Sequence, residues 1–419
     1  MAEDPVVEAL VIARDEQPPQ SAAVLRGLAA AGFGVGDYTP PAAGTEIVPP
    51  APGNRKRAGT YTISMPGTAA TLRIAVWRYG GPVTDGMGET ALHALARGLS
   101  PVEAQTLQTG TLGLELRLSG GAVRPLDALE FTLKVVGVLL GLTDGVCLDP
   151  AAQRCFGRAQ LAQLTSGDPL MHVTIHDEAW DADSRWLHTH GMQKFGRPEL
   201  DLVGVPLTLE PEGRALLCDV AVSLAAGALL AAGGELDLGD AGTAMAVAAP
   251  TDLDHQAPYG RLRLVESLLP GQASDSERAA QMLARTALAE AARRAQQGDR
   301  SRAEQIIERV LAADPDECGA LLLQARLRLT AGQPLAAVEI GEYMELRVPD
   351  DYRGPLAVGV GLAALGRLRE ALHALERSLR LNPEAAEAFA ARANVYQQLG
   401  EQQRAAEDAA HARYLGYRG

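Results

Sequence analysis

Lysine is almost missing from this chain. Three lysines (Lys56, Lys134, Lys194) stand beside 35 arginines, and 38 basic residues face 52 acidic ones, for a formal charge of −14. The deficit lies in front: residues 1–270 carry 19 basic and 31 acidic residues, residues 271–419 carry 19 and 21. An acidic front part argues against nucleic acid and against an anionic membrane surface as partners. Aromatics are scarce at 4%. The four cysteines (Cys147, Cys155, Cys218, Cys318) form no Cys-x-x-Cys pair, which points to reduced thiols in a cytoplasmic protein. Long apolar runs are lacking too. Val220–Gly234, flanked by Asp219 and Glu235, falls short of the roughly 20 residues a membrane span needs, and reads as buried helix. The acidic start Met1-Ala2-Glu3-Asp4-Pro5 has no basic region, so no signal peptide is expected. No Gly-x-Ser-x-Gly elbow occurs, and Cys147 in its Val-Cys-Leu strand reads as a core thiol before it reads as a nucleophile beside Asp149.

What the chain does have is a period. Gly298, Gly332, Gly366 and Gly400 are evenly spaced, and the same interval separates Pro315, Pro349 and Pro383, as well as Ala303, Ala337, Ala371 and Ala405. A 34-residue spacing of this kind predicts a helix–turn–helix solenoid. The glycine ends the first helix of each unit in the left-handed region, the alanine lets the second helix come close, and the proline stops it. The units are expected at 284–317, 318–351, 352–385 and 386–419, after a linker at 271–283 whose Ser274 or Ser276 caps the first helix.

These columns resemble the tetratricopeptide repeat family. The fourth unit matches best, with Phe389, Tyr396, Gly400 and Ala405; the third adds Gly359, Gly366, Ala371 and Pro383. The first and second depart, with Ala291, Ala325 and Arg328 at positions where the family differs. The resemblance covers about one third of the chain. It implies a concave groove that holds a protein or peptide, and no catalysis. The groove residues it implies are Arg285, Leu288, Ala292, Leu322, Arg326, Arg353, Leu356, Val360, Ala363, Asn394 and Gln397. The family's lysine-based carboxylate clamp does not carry over, because the units contain no lysine. The last helix, about Gln402–Tyr414, presents Ala405, Ala409 and Ala412, with Leu415 and Tyr417 beyond. It is expected to be partly covered by the front domain or a second copy.

Residues 1–270 read as an α+β domain, mostly antiparallel, with a subdomain break near 150–168. Strands are expected at Val7–Ala13, Thr60–Met65, Leu72–Tyr79, Leu112–Leu118, Gly145–Leu148, Met171–His176, Trp186–His190, Asp201–Val205, Ala244–Ala248 and Arg261–Val265. Helices are expected at Ser21–Ala31, Glu89–Gly98, Leu126–Leu140 and Glu212–Ala231. Residues 40–56, ending in Asn54-Arg55-Lys56-Arg57, read as an exposed loop. The glycine-rich stretch Gly80–Gly88 reads as a turn, since Asp85 and Glu89 repel a phosphate. The stretch Trp186-Leu187-His188-Thr189-His190-Gly191-Met192, followed by Phe195-Gly196-Arg197-Pro198-Glu199-Leu200, looks like a motif of uncharacterised bacterial domains, which implies a fold neighbourhood and no mechanism.

Four histidines, His172, His176, His188 and His190, cluster in one short stretch of the chain. Residues two or four apart on a strand share a face, so a hairpin across Asp177–Arg185 brings the imidazoles together. Neutral imidazole suits zinc or another transition metal, with Asp177, Glu178, Glu199 or Asp201 supplying oxygens. The alternative is polar surface or loop-holding histidine, and the spacing matches no closed ligand motif. The leading reading is therefore a non-enzymatic adaptor without a cofactor that binds a partner protein or peptide. An enzyme or metal sensor at the histidines, and a self-assembling homo-oligomer, stand as alternatives.

Overall fold

A computed structural model describes residues 7–14, 19–39, 51, 53–238, 243–248, 261–266 and 274–417. The expected linker residues Pro270–Ala273 and most of the expected loop at 40–56 lie outside them. In chain order the first part runs β1 (Val7–Ala13), α1 (Ser21–Ala30), β2 (Val35–Thr39), β3 (Arg55–Ser64), β4 (Thr71–Tyr79), α2 (Glu89–Leu95), α3 (Pro101–Thr109), β5 (Leu112–Ser119), α4 (Pro125–Thr143), β6 (Val146–Asp149) and β7 (Arg154–Phe156). These strands form one antiparallel sheet in the order β2-β3-β4-β5-β1-β6-β7. Strict alternation sets its two faces. Val11, Leu114 and Val76 stand in one row and look toward α1 and α4; Ile12, Val146 and Leu148 look the other way, toward α2 and α3. Arg55, Lys56 and Arg57, expected in a loop, instead open β3, where each pairs across to β4.

The chain passes through α5 (Leu161–Leu164) into a second sheet. This contains β8 (Thr174–Ala179), β9 (Ser184–His190), β10 (Glu199–Pro206), β11 (Glu235–Asp237), β12 (Thr243–Ala248) and β13 (Arg261–Glu266), in the order β11-β12-β13-β10-β9-β8. Only the β10–β13 pair is parallel among the described residues. Between them α6 (Glu210–Ala225) packs on β9 and β10. It stops well before the expected Ala231: Gly227 turns left-handed at φ 116°, and Leu229 stands 84% exposed.

Eight helices follow among the described residues: α7 (Asp275–Gln296), α8 (Arg300–Ala313), α9 (Cys318–Thr330), α10 (Pro334–Arg347), α11 (Arg353–Ala364), α12 (Leu368–Leu381), α13 (Ala386–Leu399) and α14 (Gln402–Tyr414). Ser274 caps α7 by accepting from the Glu277 amide, while Glu277 accepts from the Ser274 amide. Gly298, Gly332, Gly366 and Gly400 occupy the turns within α7–α8, α9–α10, α11–α12 and α13–α14, with φ of 85°, 71°, 76° and 83°. Neighbouring pairs also come close: a Cβ on Gly341 of α10 would lie 2.7 Å from the Val358 amide of α11. In α14, Ala405, Asp408 and Ala412 are buried and the helix packs on α13, while Tyr414 is 85% exposed. Within one chain, cover of this helix by the front part does not extend to Tyr414.

The expected boundary near 271–283 does not separate two cores. The first helix, α7, lies against β10 and β13. Leu283 reaches the Gly213 site of α6, Arg263 of β13 pairs with Asp275 of α7 at 2.9 Å, and Arg309 of α8 pairs with Glu212 of α6. One apolar cluster runs from Val7 through Leu216 and Leu283 to Ile307. The physical reason is the amphipathic α7, whose Ala279, Met282, Leu283, Ala287 and Ala291 are buried. Leu283→Ala is expected to cost about 2–5 kcal/mol. Near-UV ellipticity from the tryptophans and far-UV helix signal should then melt in one transition; two separated transitions would show independent cores.

Candidate functional site

Two places gather the expected residues. The first is the histidine-bearing hairpin β8–β9. Its register puts His176 opposite His188 and Thr174 opposite His190, and β10 continues the rows with Asp201 beside His188. The His176, His188 and His190 rings lie 4.7–5.7 Å apart, centre to centre. Trp186 stacks on His188 at 4.2 Å, and Glu178 Oε1 lies 3.3 Å from His188 Nε2. Arg261 pairs with Asp201, and Arg263 stands next to Asp201 across the parallel pair. Burial raises the Asp201 carboxyl and Arg261 opposes that rise. The buried His188 and His190 and the half-buried His176 thus share a polar layer with two arginines and a carboxylate. Among the described residues no group of three or more His, Cys, Asp or Glu side chains is arranged to hold a metal ion. The strand expected at Arg261–Val265 is present as β13, but the alternation did not reveal that Arg261 and Arg263 join the histidine layer.

His172 stands apart, which corrects the expectation that it shares a strand face with His176. Asp168 accepts from the Leu170 amide and Pro169 opens a single tight turn over Pro169–His172, so the strand starts only at Thr174. That turn belongs to a joint. Lys194, 1% exposed, pairs with Asp149 of β6 and donates to the His172 carbonyl at 3.0 Å. Arg154 lies 3.6 Å from the same carboxylate. Gly191 has φ 114°, and a Cβ there would sit 2.4 Å from the His172 carbonyl oxygen, so only glycine fits. Glu199 accepts from the Gly191 amide and from Thr189 Oγ1. Arg197 donates to the Leu224 carbonyl. The residues of the Trp-Leu-His-Thr-His-Gly-Met and Phe-Gly-Arg-Pro-Glu-Leu stretch therefore build the joint between the two sheets as well as the histidine layer. Nearby, burial lifts the Cys155 thiol to about 12 and the Cys147 thiol well above its ordinary range, so both are poor nucleophiles. They lie on adjacent strands with Leu148 opposite Cys155, and both are free.

The second place is the face formed by α9, α11 and α13. A groove of about 360 Å³ opens there, lined by Leu322, Ala325, Arg326 and Leu329 of α9, by Leu356, Ala357, Val360, Ala363 and Ala364 of α11, and by Glu387, Ala391, Asn394 and Gln398 of α13, with Tyr417 at one end. Six of the expected groove residues meet here: Leu322, Arg326, Leu356, Val360, Ala363 and Asn394. Arg326 pairs with Glu387 across α11, and burial lowers its pKa. Gln397 falls outside this lining; one residue on, a turn of about 100° brings Gln398 to the groove instead. Arg285 and Arg353 line a different cavity of about 440 Å³, together with Leu288 and with Pro206 and Leu209 from the front part. Arg285 donates to the Thr243 carbonyl of β12 at 2.9 Å, and Arg353 forks onto Asp351, so both are engaged within the chain.

The chain matches no protein-family model and no curated protein. Among solved structures, TTC0263, a TPR protein of Thermus thermophilus, is 27% identical over 32% of this chain and 74% of that one, with a TM-score of 0.30. A MamA protein (AMB-1) is 24% identical over 32% and 78%, with a TM-score of 0.25. These likenesses span one third of the present chain.

The His172 ring carries a pH signature. Burial, with Lys194 and Arg154 nearby, pulls it from its ordinary 6.5 to about 4. Between those values the unfolded chain takes the proton and the folded one does not, so this contribution to stability falls as pH drops from about 6.5 to about 4. In urea titrations the loss across that window should shrink by about 3 kcal/mol in His172→Gln. An equal loss in both proteins would place the acid sensitivity elsewhere.

Proposed function

We propose that the protein is an interaction adaptor whose helical part, built from four tetratricopeptide-like units, holds a peptide of a partner protein in the α9–α11–α13 groove. The observation that carries this is the groove itself. It joins an apolar floor (Leu322, Leu356, Val360) to a few polar groups at its walls (Arg326, Glu387, Asn394, Gln398), the composition of a surface that buries side chains and orients a backbone. The turn glycines, all left-handed and evenly spaced along the chain, support the four-unit reading. No described helix is long and apolar enough to cross a membrane.

The reading is tested with the full chain as bait in a lysate of its own source. Val360→Glu places a charge on the floor, and Asn394→Ala removes an exposed amide. A partner retained by the wild type should be lost from the double variant, by about tenfold or more in affinity once purified, while the thermal midpoint stays within a few degrees. Undiminished binding by a folded double variant would exclude the groove.

A further inference from the structure

The outer face of the first sheet is covered over only half its width. α2 and α3 close it over β1, β6 and β7. Over β3, β4 and β5 no described element covers the same face, and four arginines crowd it. Register places Arg55 beside Tyr79, Arg57 beside Trp77, and Arg73 directly beside Arg117, with Glu115 opposite Ala75 between them. The side chains of Arg55 and Arg117 are 47% and 65% exposed. Arg73 and Arg57 are exposed as well.

Two of these cations, Arg55 and Arg57, are held against the Trp77 ring. Arg55 lies 4.3 Å over the Trp77 ring and pairs with Glu115, and the Trp77 indole N–H donates to the same carboxylate at 2.8 Å. Arg57 lies 5.6 Å from that ring. Tyr79 packs over Gly113. Among the described side chains two carboxylates engage these arginines: Glu115 pairs with Arg55, and Glu8 lies 3.4 Å from Arg117. Arg57 and Arg73 have no carboxylate partner among the described residues. Like charges directly opposite on a sheet are unfavourable, so the Arg73–Arg117 pair is a cost that a bound anion would relieve. Four arginines stand against Glu115, Glu8 and Asp37, which the register puts in the row of Thr62 and Arg73, so the face keeps one positive charge in excess in the more acidic part of an acidic chain.

We propose that this open half-face is a docking surface for an acidic segment of a partner protein, whose carboxylates pair with Arg57 and Arg73 between Arg55 and Arg117. Arginine forks suit carboxylates, and the fixed guanidinium over Trp77 loses little freedom on binding. A nucleic acid fits the face less well. The Trp77 ring already carries Arg55, so this ring is not offered to a base. The surface lies on the front part and does not depend on the helical groove.

Fluorescence anisotropy with the full chain tests it, using a fluorescein-labelled poly-glutamate peptide and labelled oligo-dT as probes. The peptide should bind at low salt, weaken as salt rises, and lose about tenfold or more in affinity in Arg57→Glu/Arg73→Glu. Arg57→Lys/Arg73→Lys should retain part of the binding, and Val360→Glu in the groove should leave it unchanged. Absence of peptide binding at low salt, or equal binding to the folded Glu variant, would overturn the proposal. Tighter binding of oligo-dT than of peptide, lost in the same variant, would overturn it in favour of nucleic acid.

Discussion

The buried Lys194–Asp149 pair is the contact on which the architecture turns. Asp149 ends β6 of the first sheet, Lys194 sits in the turn after β9 of the second, and the ammonium also bonds the His172 carbonyl just before β8. Burial lowers the Lys194 pKa and the Asp149 charge opposes that. Such a pair is dear to desolvate, yet removing one partner is worse, since an uncompensated buried charge costs about 3–5 kcal/mol. Its geometry thus fixes how the two sheets meet. Gly191 must come within reach of the His172 carbonyl for the lysine to arrive, and Glu199 holds Gly191 there.

From that joint the order passes outward. The second sheet offers its apolar side to α6 and α7, and α7 is at once the layer that closes this sheet and the first helix of the helical row. A solenoid ordinarily exposes its terminal helix face to water and needs a polar cap. Here the front part supplies the cover at one end, and Arg263–Asp275 and Arg309–Glu212 fasten it. The groove of α9, α11 and α13 lies beyond this fastening, in a separate apolar cluster built around Leu356, Val358, Leu362 and Leu375.

How far the sequence could be read follows from how local each signal is. The turn glycines and the Ser274 cap depend on residues a few places apart, and both stand where the spacing puts them. The histidine hairpin was legible because alternation on β8 and β9 is a period-two pattern. His172 was misplaced because Pro169 and Asp168 form a tight turn that an apolar run hides. Sheet order, the packing of α7 on β10 and the Lys194–Asp149 pair join residues far apart in sequence, and no local pattern encodes them. Arg55–Arg57 looked like a loop because charge dominates there; the deciding fact, pairing to β4, is also long-range.

The skewed use of cations makes physical sense in this frame. Several fastenings between elements join two planar groups across a gap: Arg261 to Asp201, Arg263 to Asp275, Arg309 to Glu212, Arg392 to Asp408. A guanidinium serves there because its fork can bond a carboxylate twice and stays charged when partly buried. The joint between the sheets asks for something else. Its cation must thread a narrow space and meet one carboxylate oxygen and one backbone carbonyl with few N–H groups left over. A slim stem ending in a compact ammonium does that and a planar fork does not. One of the chain's three lysines is buried there, and the other two, Lys56 and Lys134, stand exposed.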